Sequence, residues 1–203
     1  AGAMTFNFGS FDSDTGIETV PFLEASKAMA RGQGYAGEND VLTAAMVGAL
    51  AQAGCRLTFT EMFCPDWEGG TIFMSHMGEC GLGVSEGPAT LVEKQYAFSD
   101  VANPVIATPK IIPGEATLVN LAPGPGSSFR FITARVEVLD RGPVAGFREV
   151  PHYWIRPLDR DLRGFLQRYS ELGGTHHLAL CLGDEREMVR QMAMALKREH
   201  CAV

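Results

Sequence analysis

From Cys55 to Ile155 the chain reads as a succession of short β-strand candidates: RLTFTEMF, GTIFMSHM, ATLVEKQY, PVIATPKII, EATLVNLA, SFRFITARVEVL and FREVPHYWI. Gly- and Pro-containing turns separate them at short intervals. Strands at that spacing predict an antiparallel barrel or sandwich. The flanks differ. MTFNFGSF reads as a short strand and IETVPFLEASKAMAR as a helix. The Gly-rich GQGYAGEND ends in acidic and amide residues suited to capping, ahead of a helix VLTAAMVGALAQAG that stops at Gly54. After the strands come a helix (DRDLRGFLQRYSEL), a buried strand (THHLALCLG) and a last helix (EREMVRQMAMALKREH). The division falls near residue 57. Residues 58–203 form the barrel domain. In residues 1–57 a strand and two helices make too little sheet to bury both faces, so they read as the end of an α/β domain that starts upstream.

Two ionisable residues interrupt apolar rows. Side chains on a strand alternate faces, which sets Glu61 with Leu57, Phe59 and Phe63, and His76 with Ile72 and Met74. With residues 64–70 as a hairpin loop, Glu61 and His76 lie on adjacent strands. Burying a carboxylate without a partner costs several kcal/mol, and a cation removes that cost. Carboxylate plus imidazole is a ligand set for Mn, Fe, Co or Zn. A buried Glu–His hydrogen bond, or an edge strand facing water, accounts for the same pattern. Glu38 in GYAGEND precedes a helix, where an acidic residue also complements the macrodipole. In GGTHHLAL, alternation sets His176 with Leu178 and Leu180, and His177 with Thr175 and Ala179. The pattern does not choose which histidine points inward.

Several function classes are disfavoured. The formal charge is −7 with no Lys/Arg cluster, against nucleic acid and anionic membrane surfaces as partners. No apolar run approaches the roughly 18 residues of a membrane span. The N-terminus lacks a signal-peptide pattern, and the five cysteines are odd in number without a CxxC pair, which fits a reducing cytoplasm rather than a disulfide scaffold or structural zinc. No P-loop, GxSxG, HExxH or Rossmann glycine motif occurs.

GYAGENDVLTAAM, FTEMF, FMSHMGEC and GGTHHLAL, in that order, resemble stretches of the L-arabinose isomerase and L-fucose isomerase family. The resemblance runs from about residue 5 to about residue 180. It implies a C-terminal Greek-key barrel with flanking helices, preceded by the end of a second α/β domain. It also implies a divalent-metal ketol isomerase acting on a monosaccharide through an enediol. The metal, usually Mn2+ and otherwise Co2+, Mg2+ or Zn2+, would be held by Glu38, Glu61, His76 and His177. Glu38 and Glu61 would double as acid and base. Family chains are more than twice as long, assemble as trimers or hexamers, and close the sugar pocket with their N-terminal domains and a neighbouring subunit. A truncated portion would therefore turn over poorly by itself. This sequence has Asn39 where the family often has Gly, and Met62 where arabinose isomerases tend to have Asp.

Around these ligands, Glu79 reads as a carboxylate supporting the metal site. His176, His152, Trp154 and Trp67 are candidate sugar contacts, with Asp66 beside Trp67 at a pocket rim. The competing reading is a sugar- or partner-binding module that kept the barrel and lost turnover.

Overall fold

The computed structural model describes residues 2–12, 14, 16–126 and 128–203. A short strand β1 (Ala3–Thr5) leads through a 3-10 turn at Phe8–Ser10 to helix α1 (Phe22–Ala30). Strand β2 (Gly34–Ala36) pairs parallel with β1, and helix α2 (Val41–Gln52) follows. Then come β3 (Leu57–Asp66), β4 (Thr71–Ser75), β5 (Thr90–Glu93), β6 (Val105–Thr108), β7 (Gly114–Pro123), β8 (Phe129–Val138) and β9 (His152–Pro157). Helix α3 (Leu162–Glu171), β10 (His177–Leu182), α4 (Arg186–Ala195) and β11 (Glu199–Ala202) complete the chain. Thus 4–11 is strand only at its start, the first helix begins at Phe22 rather than 17, and GQGYAGEND contains β2. The last predicted helix ends at Ala195, and His200 lies half-buried in β11, its Nε2 2.9 Å from Thr133 Oγ1.

Six strands close an antiparallel barrel in the order β8-β7-β10-β3-β4-β9, with β9 returning to β8. β11 adds parallel to β8 outside the ring, and β5–β6 form a separate ribbon. The expected barrel with flanking helices is therefore present. Its interior is filled by inward residues of every strand, among them Ile72, Met74, Leu118, Ile132, Ile155, Leu178 and Leu180. Helices α1, α2 and α4 cover part of the outside, where Leu57, Phe59, Val119, Leu121 and Ala179 pack against Ala44, Val47 and Leu50.

β3 is therefore buried on both faces. Thr58, Thr60 and Met62 point into the barrel, while Leu57, Phe59 and Glu61 point out beneath α2. A β-bulge between Met62 and Cys64 then breaks the alternation. Phe63 is the extra residue, 55% exposed, and leaves the row that alternation assigned it. The strand runs on to Asp66, so the hairpin turn spans only 67–70. His76 is displaced as well. β4 ends at Ser75, and the chain turns His76 away from the Ile72–Met74 row to the outer side. There its ring lies 4.7 Å from that of Phe59. No described helix is long and apolar enough to cross a membrane.

α2 sits close to the small sheet because two glycines let backbones touch. A Cβ on Gly34 would lie 2.3 Å from the Ala44 carbonyl oxygen and 2.5 Å from Gly48 N. Neither neighbour is a side chain that can swing aside. Gly34→Ala is expected to destabilise the fold by about 3 kcal/mol, as overpacking does. Thermal unfolding read by circular dichroism should then fall by about 6–12 °C; a shift under 2 °C would contradict this packing.

Candidate metal centre

The site is built on one row across the barrel wall. His177 on β10 pairs with Glu61 on β3, Glu61 with Ser75 on β4, and Ser75 with His152 on β9. Residues directly opposite share a face, so all four point outward. The register thus chooses His177 over His176: His177 is buried and His176 exposed. His76 enters from the end of β4, its ring 5.2 Å from that of His177. Ligand atoms of Glu61, His76 and His177 all lie within 4.8 Å of one another, as do those of Glu38, His176 and His177. His177 belongs to both groups.

Glu38 reaches the site from a strained turn. Gly37 O accepts from Asp40 N at 3.0 Å, and the two central residues, Glu38 and Asn39, have φ of 57° and 62°. This left-handed pair is the pattern of a type I′ turn, where glycine or asparagine is favoured. Asn39 meets that demand; Glu38 adopts it at a cost, a common feature of functional sites. Gly37 is needed for another reason: a Cβ there would lie 2.5 Å from His76 Cε1.

Each histidine has its own carboxylate. His177 Nδ1 donates to Asp40 Oδ2 at 3.1 Å, which leaves Nε2 as the nitrogen turned toward the site. That Nε2 is buried with no hydrogen-bond partner, and stands 3.8 Å from Glu38 Oε2. A buried imidazole nitrogen without a hydrogen bond, beside a carboxylate, is a donor pair suited to a cation. Asp40 also caps α2, accepting from Thr43 N at 2.9 Å. Burial opposes its charge, but bonds from His177 and Thr43 outweigh burial and bring its pKa down to about 2. His76 Nδ1 lies 3.1 Å from Glu79 Oε1, off hydrogen-bond alignment. Glu79 is 1% exposed. It accepts from Tyr35 Oη at 2.7 Å and from Gly78 N at 2.8 Å. Burial works against this carboxylate, yet His76, Tyr35 and Gly78 hold its pKa below the usual range. Burial likewise disfavours the His76 imidazolium, but Glu79, with Glu61 and Glu38 farther out, raises its pKa.

The sequence reading missed Asp40, Tyr35 and Gly37. Asp40 was visible as a cap, but its contact with His177 spans 137 residues. The other candidates stand apart from the ligand cluster. His152 shares the row, but Nδ1 donates to Val150 O and Nε2 accepts from Val144 N, both at 2.9 Å. Trp154 lies opposite Phe73, with the Arg141 guanidinium 5.0 Å above its ring. Trp67 is on the hairpin turn, six residues along the strand from Glu61, or roughly 20 Å at strand rise, and Arg163 stacks on it at 5.1 Å. Asp66 caps that turn by accepting from Gly69 N.

A closed barrel carrying two imidazoles and two carboxylates that converge on its outer wall defines a candidate single-metal protein of the nitrogen–oxygen ligand class. Residues 56–199 match the L-arabinose isomerase C-terminal domain family, and the chain belongs to that family. It is similar to the L-arabinose isomerase of Nocardioides sp. (strain ATCC BAA-499 / JS614), 28% identical over 193 residues that cover 91% of this chain and 38% of the relative. The L-arabinose isomerase of Mannheimia succiniciproducens is 27% identical over 194 residues, with the same shares. The chain thus spans about two fifths of the length of these curated relatives.

Two outcomes follow. Asp40→Asn keeps a helix cap but turns an amide toward His177 Nδ1, which should cut affinity for Mn2+ by about 10–100-fold with the melting temperature nearly unchanged; undiminished Mn2+ binding in a titration would refute the orienting role. In metal-free protein, the Glu79–His76 pair stabilises fully between the ordinary values of 4.5 and 6.5. Its contribution falls as pH drops through the lowered Glu79 pKa, and as pH rises through the raised His76 pKa. The gap in urea stability between wild type and Glu79→Gln should therefore be widest at pH 4.5–6.5 and narrow on both sides; a gap independent of pH would count against the pair.

Proposed function

We propose that this chain carries the metal-binding and proton-moving part of an aldose–ketose isomerase acting on a monosaccharide, with L-arabinose the first candidate from the relatives' names. The observation that supports this most is His177 Nε2, buried and without a partner, in the donor set of Glu61, His76 and Glu38. Those four residues would hold a divalent cation, Mn2+ first and Co2+, Mg2+ or Zn2+ otherwise. When bound it supplies a Lewis acid that acidifies the carbon-bound proton and balances enediolate charge.

The protein groups divide the remaining work. Asp40 fixes the His177 tautomer, and the Tyr35–Glu79 pair fixes His76. Glu61 is half-buried and Glu38 is 52% exposed in its side chain, so a small sugar can reach both. One carboxylate takes the proton from C2 and the other serves the oxygen side, and C1 receives the proton in return. A cytoplasmic homo-oligomer, with the sugar pocket completed by further domains, is the setting this reading expects.

Elemental analysis after growth with Mn2+ tests the reading. About one ion per chain is expected, falling to about a tenth or less in Glu61→Ala with an unchanged circular dichroism spectrum. In protein that includes the further domains, ketose formation from L-arabinose should fall about 100-fold or more in Glu38→Gln and Glu61→Gln. Metal absent from the wild type as well as from Glu61→Ala would favour the non-catalytic binding module instead.

A further inference from the structure

A cavity of about 540 Å³ lies between the β5–β6 ribbon and the 139–153 segment, and none of the four candidate metal ligands lines it. Its volume is in the range of small-molecule sites. The ribbon side contributes the apolar Val92, Pro109 and Ile111 beside Thr90, Thr108 and Lys110, while the opposite wall carries Arg141 and Arg148. No aspartate or glutamate is among its described lining residues, in a chain of net charge −7.

The walls are held in place. Lys110 Nζ bonds Glu86 Oε2 at 2.7 Å and Asp140 Oδ1 at 2.8 Å, tying the ribbon to the connection after β8 and neutralising its own charge. His152 fastens the opposite loop, accepting from Val144 N and donating to Val150 O. The guanidinium of Arg141 rests on Trp154, and among the described residues neither Arg141 nor Arg148 has a carboxylate within ion-pair distance. Lys94, half-buried nearby, reaches only the carbonyl of Glu149, at 3.5 Å. Guanidinium groups left unmatched beside a pre-formed apolar cavity suit an oxyanion on a compact apolar body.

We propose that this cavity is a second ligand site, separate from the metal centre, for a small organic oxyanion: a phosphate monoester or a carboxylate. The test uses metal-free protein, so its outcome does not depend on the isomerase reading. Phenyl phosphate, benzoate and the neutral benzyl alcohol are titrated against isotope-labelled protein and followed by amide NMR shifts. At least one oxyanion is expected to bind with Kd below about 1 mM, shifting residues 90–92, 108–111 and 139–153. Benzyl alcohol should bind at least about tenfold more weakly, and the double variant Arg141→Ala, Arg148→Ala should weaken the oxyanion by a similar factor. Stronger response to phenyl phosphate identifies a phosphate site, and to benzoate a carboxylate site. Both arginines are exposed, so the double variant should keep the wild-type spectrum elsewhere. No shift with either oxyanion at about 10 mM, equal binding of the alcohol, unchanged affinity in the double variant, or shifts confined to the metal centre would each overturn the proposal.

Discussion

The double burial of β3 is the constraint on which the rest depends. A barrel wall usually meets water on its outer side; here α2 and its neighbours roof part of it, so Leu57 and Phe59 lie in a second apolar layer, with the half-buried Glu61 on the same face. Polar groups in that layer cannot rely on water and must be matched within the protein. Glu79 shows how fully this is met, with partners from β2, from the turn after β4 and from an imidazole. His177 is met less fully: Asp40 matches Nδ1, while the buried Nε2 has no hydrogen-bond partner and only the Glu38 carboxylate 3.8 Å away. Within the ligand set, His177 Nε2 and His76 Nδ1 both lack an aligned hydrogen bond, and the first of them faces the Glu38 carboxylate.

The barrel was legible because each strand is bounded by turn chemistry and filled with β-branched and aromatic residues. What stayed hidden was non-local. β1, β2 and β11 are three or four residues long and exist through pairing with distant segments. Alternation grouped Leu57, Phe59 and Glu61 on one face of β3, but only the packing shows that the Thr58 and Thr60 face is covered as well. The bulge that expels Phe63 leaves no mark that alternation can read. The same logic governed the site. The sequence offered Glu61, His76 and a histidine pair, but only the register of β10 on β3 distinguishes His177 from His176. Tyr35 and Asp40 gain their meaning from partners 44 and 137 residues away.

Charge is distributed unevenly over this acidic chain. Carboxylates gather around the two buried imidazoles, whereas the cavity under the 139–153 segment is lined by Lys110, Arg141 and Arg148 and by no carboxylate among its described residues. His152 lies where these regions meet, sharing a register row with Glu61 and His177 while fastening the cavity wall. The barrel wall is thus the common support for two environments of opposite electrostatic character.

Asp40 joins two events usually treated apart. The carboxylate that holds Thr43 N at the start of α2 also orients His177. The first turn of the helix and the geometry of the ligand set therefore open and close as one cooperative unit. A fluctuation that frays α2 exposes the Thr43 amide to exchange with solvent and, in the same motion, lets the imidazole rotate. Occupation of the site would slow that fluctuation, so the hydrogen-exchange rate of one backbone amide becomes a readout of order at an imidazole 134 residues further along the chain.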